Sequence, residues 1–155
     1  MSQSSGKDFP ASSLSGPPVV TDTPGRGVLP GFSGHSATLP VLYQLEAQPI
    51  EQISALVQRQ MLHGTQSTFV KWIVKRGGFF TLHHHANEQI TWIVQGECEV
   101  FSQGKRFSMA AGMVLIIPPN TPHEFICTQD MIDVDFFAPQ RQDWIDGLSS
   151  AAASR

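Results

Sequence analysis

The sequence predicts an all-β sandwich or barrel, on three observations. Short apolar runs recur at near-regular spacing from residue 41 onward, turn residues separate them, and only Asp143-Trp144-Ile145 begins a helix. Leu45 to Ile50 reads as a lead-in segment, and Ile53 to His63 as a strand or a short helix leading into one. Thr68 to Arg76 alternates, with Val70, Trp72 and Val74 set against Lys71 and Lys75, until Gly77-Gly78 breaks it. Phe79 to His85 is the next strand, and Gln89 to Val94 follows up to a turn at Gln95-Gly96. Cys98 to Ser102 and Arg106 to Met109 flank Gln103-Gly104-Lys105, a hairpin signal. Gly112 opens the buried apolar run Met113 to Ile117, which Pro118-Pro119 ends. His123 to Cys127 and Met131 to Phe137 are two more strands.

The 155 residues fit one domain, and a hydrophobic fraction of 41% supports a core. Residues 1–40 are rich in Ser, Gly and Pro and read as a flexible, disordered tail; residues 41–147 form the domain, and residues 148–155 a C-terminal tail. No internal repeat divides the domain. A net charge of −3 gives no footing for nucleic acid or a membrane surface. No apolar run approaches a membrane span, and Met1 to Asp8 has no secretory h-region, so a cytoplasmic location is expected. Cys98 and Cys127 fit no disulfide framework and read as small buried side chains in a reducing compartment.

The chemistry lies in the histidines. His83-His84-His85 is followed by Gln89, and His123 comes later in Pro118-Pro119-Asn120-Thr121-Pro122-His123. Imidazole is the commonest protein metal ligand near neutral pH. On a strand, residues two apart share a face. His83 and His85 can therefore grip one ion while His84 points away, and Gln89 shares their parity if the strand continues. His35 and His63 read as bystanders.

The spacing is more specific. Gly77, five residues, His83, one, His85, three, Gln89, six, Gly96 resembles the first cupin motif, with Gln89 where most members carry Glu. Gly112, five residues, Pro118, one, Asn120, two, His123, three, Cys127 resembles the second, with Asn120 for the usual Gly and Cys127 for the usual Asn. The resemblance spans about residues 41 to 147. It implies a single double-stranded β-helix, or jelly-roll, barrel with a short C-terminal helix. It also implies that His83, His85, Gln89 and His123 ligate one divalent transition metal: Mn, Fe, Ni, Co or Zn. Three imidazoles and one side-chain oxygen suit these ions and leave positions for substrate or water. A neutral Gln keeps the full dipositive charge, which favours Lewis-acid over redox chemistry.

At its C-terminal end the chain is similar to the KdgF family of pectin-degradation cupins, through Asp135-x-Phe137-x-Pro139-x-Arg141. That family converts a 4,5-unsaturated uronate from its ring form towards the open-chain keto acid. The resemblance implies Asp135 and Arg141 as catalytic residues and Phe137 as a substrate-binding wall. Asp135 could move a proton, and Arg141 could fork onto a substrate carboxylate. Asp133, of the same parity, is an alternative carboxylate. Gln140 departs from the family's usual Pro.

The expected activity is therefore that of a mononuclear metal-dependent isomerase or lyase acting on a small oxygenated acid, such as an unsaturated uronate. A metal-dependent dioxygenase and a non-catalytic small-molecule-binding cupin are the alternatives. The expected partners are a small-molecule substrate and a second copy in a homodimer, with contact through the Val70, Trp72, Val74 face or through Trp92; no nucleic acid or membrane partner is expected.

Overall fold

The computed structural model describes residues 40–147. The flexible tail expected over residues 1–40, His35 within it, and the C-terminal tail 148–155 lie outside the described residues, apart from Pro40.

Ten antiparallel strands form two sheets. After a single 3-10 turn at Leu45–Ala47 they run β1 (Glu51–Ser54), β2 (Val57–His63), β3 (Thr68–Val74), β4 (Phe79–His83), β5 (Glu88–Gln95), β6 (Glu97–Ser102), β7 (Lys105–Ala110), β8 (Val114–Ile117), β9 (His123–Cys127) and β10 (Met131–Ala138), followed by the helix α1 (Gln142–Ile145). One sheet has the order β1-β2-β3-β10-β5-β8 and the other β4-β9-β6-β7. Two sheets packed face to face in this way make the expected jelly roll. The stretch from Ile53 to His63 holds no helix: β1 and β2 pair as a hairpin around Ala55-Leu56. Gln103 and Gly104 sit at φ 50 and 74, the doubly left-handed turn that lets β6 run straight back as β7.

Register decides which side chains meet in the lumen, because directly opposed residues share a face. One row crossing the large sheet reads Arg59, Trp72, Asp133, Ile93. The next reads Met61, Val70, Asp135, Thr91, Leu115, and the third His63, Thr68, Phe137, Gln89, Ile117. Val70, Trp72 and Val74 thus face inward and are buried, so they form core and cannot be the contact for a second copy. Aromatic rings bridge the two sheets. Trp72 packs edge-on against Phe80 at 4.9 Å between centroids, and Phe80 meets Phe125 at 6.1 Å. Trp144 of α1 closes one end, 5.2 Å from Phe137 and 6.0 Å from Trp72. Among the described residues no helix is long and apolar enough to cross a membrane.

Candidate metal centre

His83 ends β4 and lies directly opposite His123, the first residue of β9. The expected strand Phe79 to His85 stops there, so His85 stands in the loop before β5 rather than on a strand. Its direction comes from hydrogen bonds instead. The Nδ1–H of His85 donates to the Asn87 carbonyl at 3.0 Å, and the His85 carbonyl accepts from the Asn120 backbone N–H at 2.7 Å. Asn120 holds φ 59, a left-handed conformation that Asn tolerates almost as Gly does, so the departure from the motif's Gly keeps the turn. Asn87 in turn donates through Nδ2 to the Pro139 and Gln140 carbonyls at 2.6 and 3.2 Å, tying the His85 loop to the segment after β10. His84 is exposed and points away.

All three imidazoles are held in the same way. His83 and His123 donate Nδ1–H to the carbonyls of Thr81 and Thr121, each at 2.7 Å, as His85 does to Asn87. A carbonyl only accepts, so Nδ1 carries the proton and each Nε2 is a bare lone pair. One nitrogen from each ring lies within 4.8 Å of the others. The ring centroids stand 4.3 Å apart for His83–His123, 5.2 Å for His85–His123 and 5.8 Å for His83–His85. Burial pushes all three imidazoles towards the neutral form. His85 and His123 fall to about 4, with the Arg141 charge acting in the same direction.

Gln89 completes the set from β5. Its Nε2 donates to Thr91 Oγ1 at 2.8 Å and to Asp135 Oδ1 at 3.0 Å. That leaves its Oε1 facing His85 Nε2 at 3.1 Å. Both of those atoms are acceptors, and no hydrogen bond joins two acceptors when His85 is neutral. The His123 Nε2 is fully buried and has no partner at all. A buried acceptor without a donor costs about 1–3 kcal/mol, so four converging acceptors call for a cation. The donor set, three neutral imidazoles and an amide oxygen, fits one divalent transition metal held by His83, His85, Gln89 and His123.

Asp135, on β10 beside Gln89, is wholly buried. It accepts from Trp72 Nε1 at 2.8 Å, from Thr91 Oγ1 at 2.6 Å and from Gln89. Burial raises its pKa to about 6, and these three donors oppose the rise. Asp133, one row deeper, lacks these side-chain donors and accepts from the Val134 backbone N–H. Burial and the Asp135 charge push it well above the carboxylate range, and its Oδ1 has no partner. Of the two, Asp133 carries the proton. Phe137 sets its ring 5.3 Å from that of His85. Arg141 is buried, but Nε and Nη2 are both engaged by Asp143, at 2.8 and 2.6 Å. Its guanidinium stacks 3.9 Å over Trp144. His83, Gln89, Asp133, Asp135, Phe137 and Arg141 line one narrow lumen with a cavity volume of about 20 Å³.

Thr91, Trp72, Asn87 and Asn120 are the site residues that sequence reasoning missed. Thr91 had a signal, since it follows Gln89 at the same strand parity. The contact of Trp72 with Asp135 depends on the register between β3 and β10, which alternation alone does not give. His63 holds a structural bond to Thr68 Oγ1 at 2.9 Å, and the two cysteines are buried and unpaired, as expected.

Residues 70–138 match the family described as Cupin domain. KdgF from Halomonas sp. superposes with a TM-score of 0.63 at 25% identity, over 67% of this chain and 99% of that one. An RmlC-like cupin from Shewanella frigidimarina gives 0.64 at 29% identity, over 68% and 96%. Oxalate decarboxylase from Bacillus subtilis, a protein with Mn(II) centres, shares the fold at 0.55 and 14% identity, over 63% of this chain and 29% of that one. Among curated proteins none matches this sequence. With its two histidine-bearing segments side by side in one sheet of a jelly roll, the chain has the cupin fold and is similar to KdgF.

Proposed function

We propose that this cupin is a mononuclear metal-dependent isomerase or lyase acting on a small oxygenated acid, with a 4,5-unsaturated uronate as the specific substrate. One observation carries the reading: the Gln89 amide is clamped by Asp135 and Thr91 so that its oxygen, with three bare imidazole nitrogens, turns towards one point. A metal bound there would supply Lewis-acid polarisation of a substrate oxygen.

The chain's own groups account for the rest. Opening the ring of an unsaturated uronate breaks the C1–O5 bond, releases the hydroxyl proton at C1 to form an aldehyde, and leaves an enol oxygen on C5. Protonation at C4 then gives the ketone, so one proton leaves and one returns with no redox change. Asp133, protonated and lining the lumen, is the group with a proton to give; Asp135 is held ionised by its three donors. Phe137 walls the metal side against water. Arg141 offers only Nη1 to a substrate carboxylate, since Asp143 occupies the other edge of its fork and offsets its charge.

Incubation with a panel of unsaturated uronates, following loss of the enol-ether absorbance alongside metal analysis, tests the reading. Turnover that requires a metal supports it. Oxygen consumption coupled to turnover would move the protein to the dioxygenases. Tight ligand binding without turnover would make it a binding module.

A further inference from the structure

The Arg141 fork is filled from within its own segment. Asp143, two positions on, takes Nε at 2.8 Å and Nη2 at 2.6 Å, the bidentate geometry in which an arginine holds a carboxylate ligand. The two partners are buried unequally: the Arg141 side chain is 3% exposed and the Asp143 side chain 37%. Asp143 can therefore leave for water at little cost, whereas a buried guanidinium left without an anion is strongly destabilised. The pair opens readily only when another anion arrives.

The segment that carries Asp143 is attached at one end. Asn87 donates to the Pro139 and Gln140 carbonyls, and the Arg141 N–H donates to Thr68 Oγ1 at 2.9 Å, which fixes the chain up to Arg141. Beyond it, among the described residues, every hydrogen bond of residues 142–147 returns to residues 140–147. Trp144 is the one buried residue of α1. It lines the lumen, its ring centre 3.9 Å from the Arg141 guanidinium carbon and 4.3 Å from that of Arg59. Its Nε1–H is buried with no acceptor, a cost that the closed position carries and an opened one sheds to water. With Trp144 in place the cavity of about 20 Å³ has room for a water and not for a sugar acid.

We propose that an acid ligand enters by exchange: its carboxylate replaces Asp143 on the Arg141 fork, and α1 swings outward from a hinge just after Arg141, drawing Trp144 out of the lumen. No covalent bond changes; one ion pair takes the place of another. Asp143 is thus a built-in competitor. It admits ligands whose anionic group can fork onto a guanidinium and shuts out neutral ones of the same shape. The inference rests on the small-acid reading for its ligand class, and adds where the acid binds and what it must displace.

Two measurements separate the exchange from the identity of the substrate. Hydrogen exchange of the full chain at residues 144–147 should be faster in sodium acetate than in sodium chloride at equal ionic strength, with β5 unchanged. Arg141→Lys, which cannot hold a carboxylate by two parallel bonds, should abolish that difference. In calorimetry, Asp143→Asn should bind D-galacturonate roughly tenfold or more tightly than the wild type, because no charge-assisted pair has to break first. D-galactose should bind neither protein. Equal or weaker uronate binding by Asp143→Asn would mean that Asp143 only orients Arg141, and overturns the proposal. Exchange at residues 144–147 that acetate leaves unchanged overturns it too. Faster exchange in acetate, with no uronate binding by either protein, supports the displacement of Asp143 and overturns the uronate as substrate.

Discussion

Asp135→Asn should weaken metal binding although Asp135 is not one of the ligands. An Asn in this place has two orientations. With its amide nitrogen towards Gln89 and Thr91, the Gln89 amide must turn over to accept from it, and the Gln89 nitrogen then replaces the ligating oxygen. With its oxygen towards Gln89, that oxygen stays in place, but the Asn nitrogen meets the Trp72 N–H, donor against donor, where the carboxylate now accepts at 2.8 Å. The first orientation satisfies the Asn, Gln89, Thr91 and Trp72 groups without metal. Metal binding therefore has to drive the second, which costs about 1–3 kcal/mol for the buried donors left unmatched. That corresponds to metal affinity lower by roughly 5- to 150-fold, within the range seen when a partner behind a metal ligand is removed. Adding Trp72→Phe removes the opposing N–H, so the double variant should bind metal more tightly than Asp135→Asn alone. Chelator-competition titrations of the wild type and the two variants measure this. Unchanged affinity in Asp135→Asn, or no recovery in the double variant, would refute the clamp.

Four further outcomes follow from the same geometry. His123→Ala and Gln89→Ala should each lose bound metal and activity, and elemental analysis that finds metal retained would remove those residues from the ligand set. Phe137→Ala deletes a fully buried ring that touches His85 and Trp144, and should cost about 3–5 kcal/mol in denaturant unfolding. Gly96→Ala puts a Cβ at φ 85 against the Asp130 carbonyl and should cost at least about 2 kcal/mol. Burial holds the Asp133 carboxyl protonated in the fold, so its folded pKa lies above its unfolded one. Its contribution is most favourable at low pH, and the wild type loses stability as pH rises above the unfolded value near 4, by at most about 1.4 kcal/mol per pH unit. Asp133→Asn should gain on the wild type as pH rises above about 4, and parallel unfolding profiles would contradict that.

The convergence of His83, His85, Gln89 and His123 was legible because motif spacing fixes it, yet the physical reason for His85 differs from strand parity. β4 ends at His83, and backbone bonds from Asn87 and Asn120 aim the ring. Asp135 was legible as an inward residue, but its partners were not. Trp72 and Thr91 reach it from β3 and β5, which flank β10 in space and are distant in sequence. Arg141 illustrates the limit from the other side. Its residue type suits a carboxylate, and Asp143, two positions on, already supplies one. The Val70, Trp72, Val74 alternation showed that a strand was present without showing which way it faced, because both faces of this sheet are apolar.

The exchange of Glu for Gln at position 89 relocates a negative charge. A Glu in the motif would put that charge on the metal. Here the oxygen facing the metal site is neutral, and the carboxylate sits one hydrogen bond away, on Asp135. An amide whose N–H₂ donates to a carboxylate is polarised, with more electron density on its oxygen. Gln89 is thus a better ligand than a free amide while remaining uncharged. A dication in the site keeps its full charge for a substrate oxygen, and Asp135 compensates that charge across the amide inside a lumen where Asp143 already balances Arg141. The arrangement permits a Lewis acid in a buried pocket with one of its two charges offset by Asp135 and the other left for a bound anion. It also makes the Asp135 carboxylate part of the electrostatics of the site, which separates this residue from a freely titrating base.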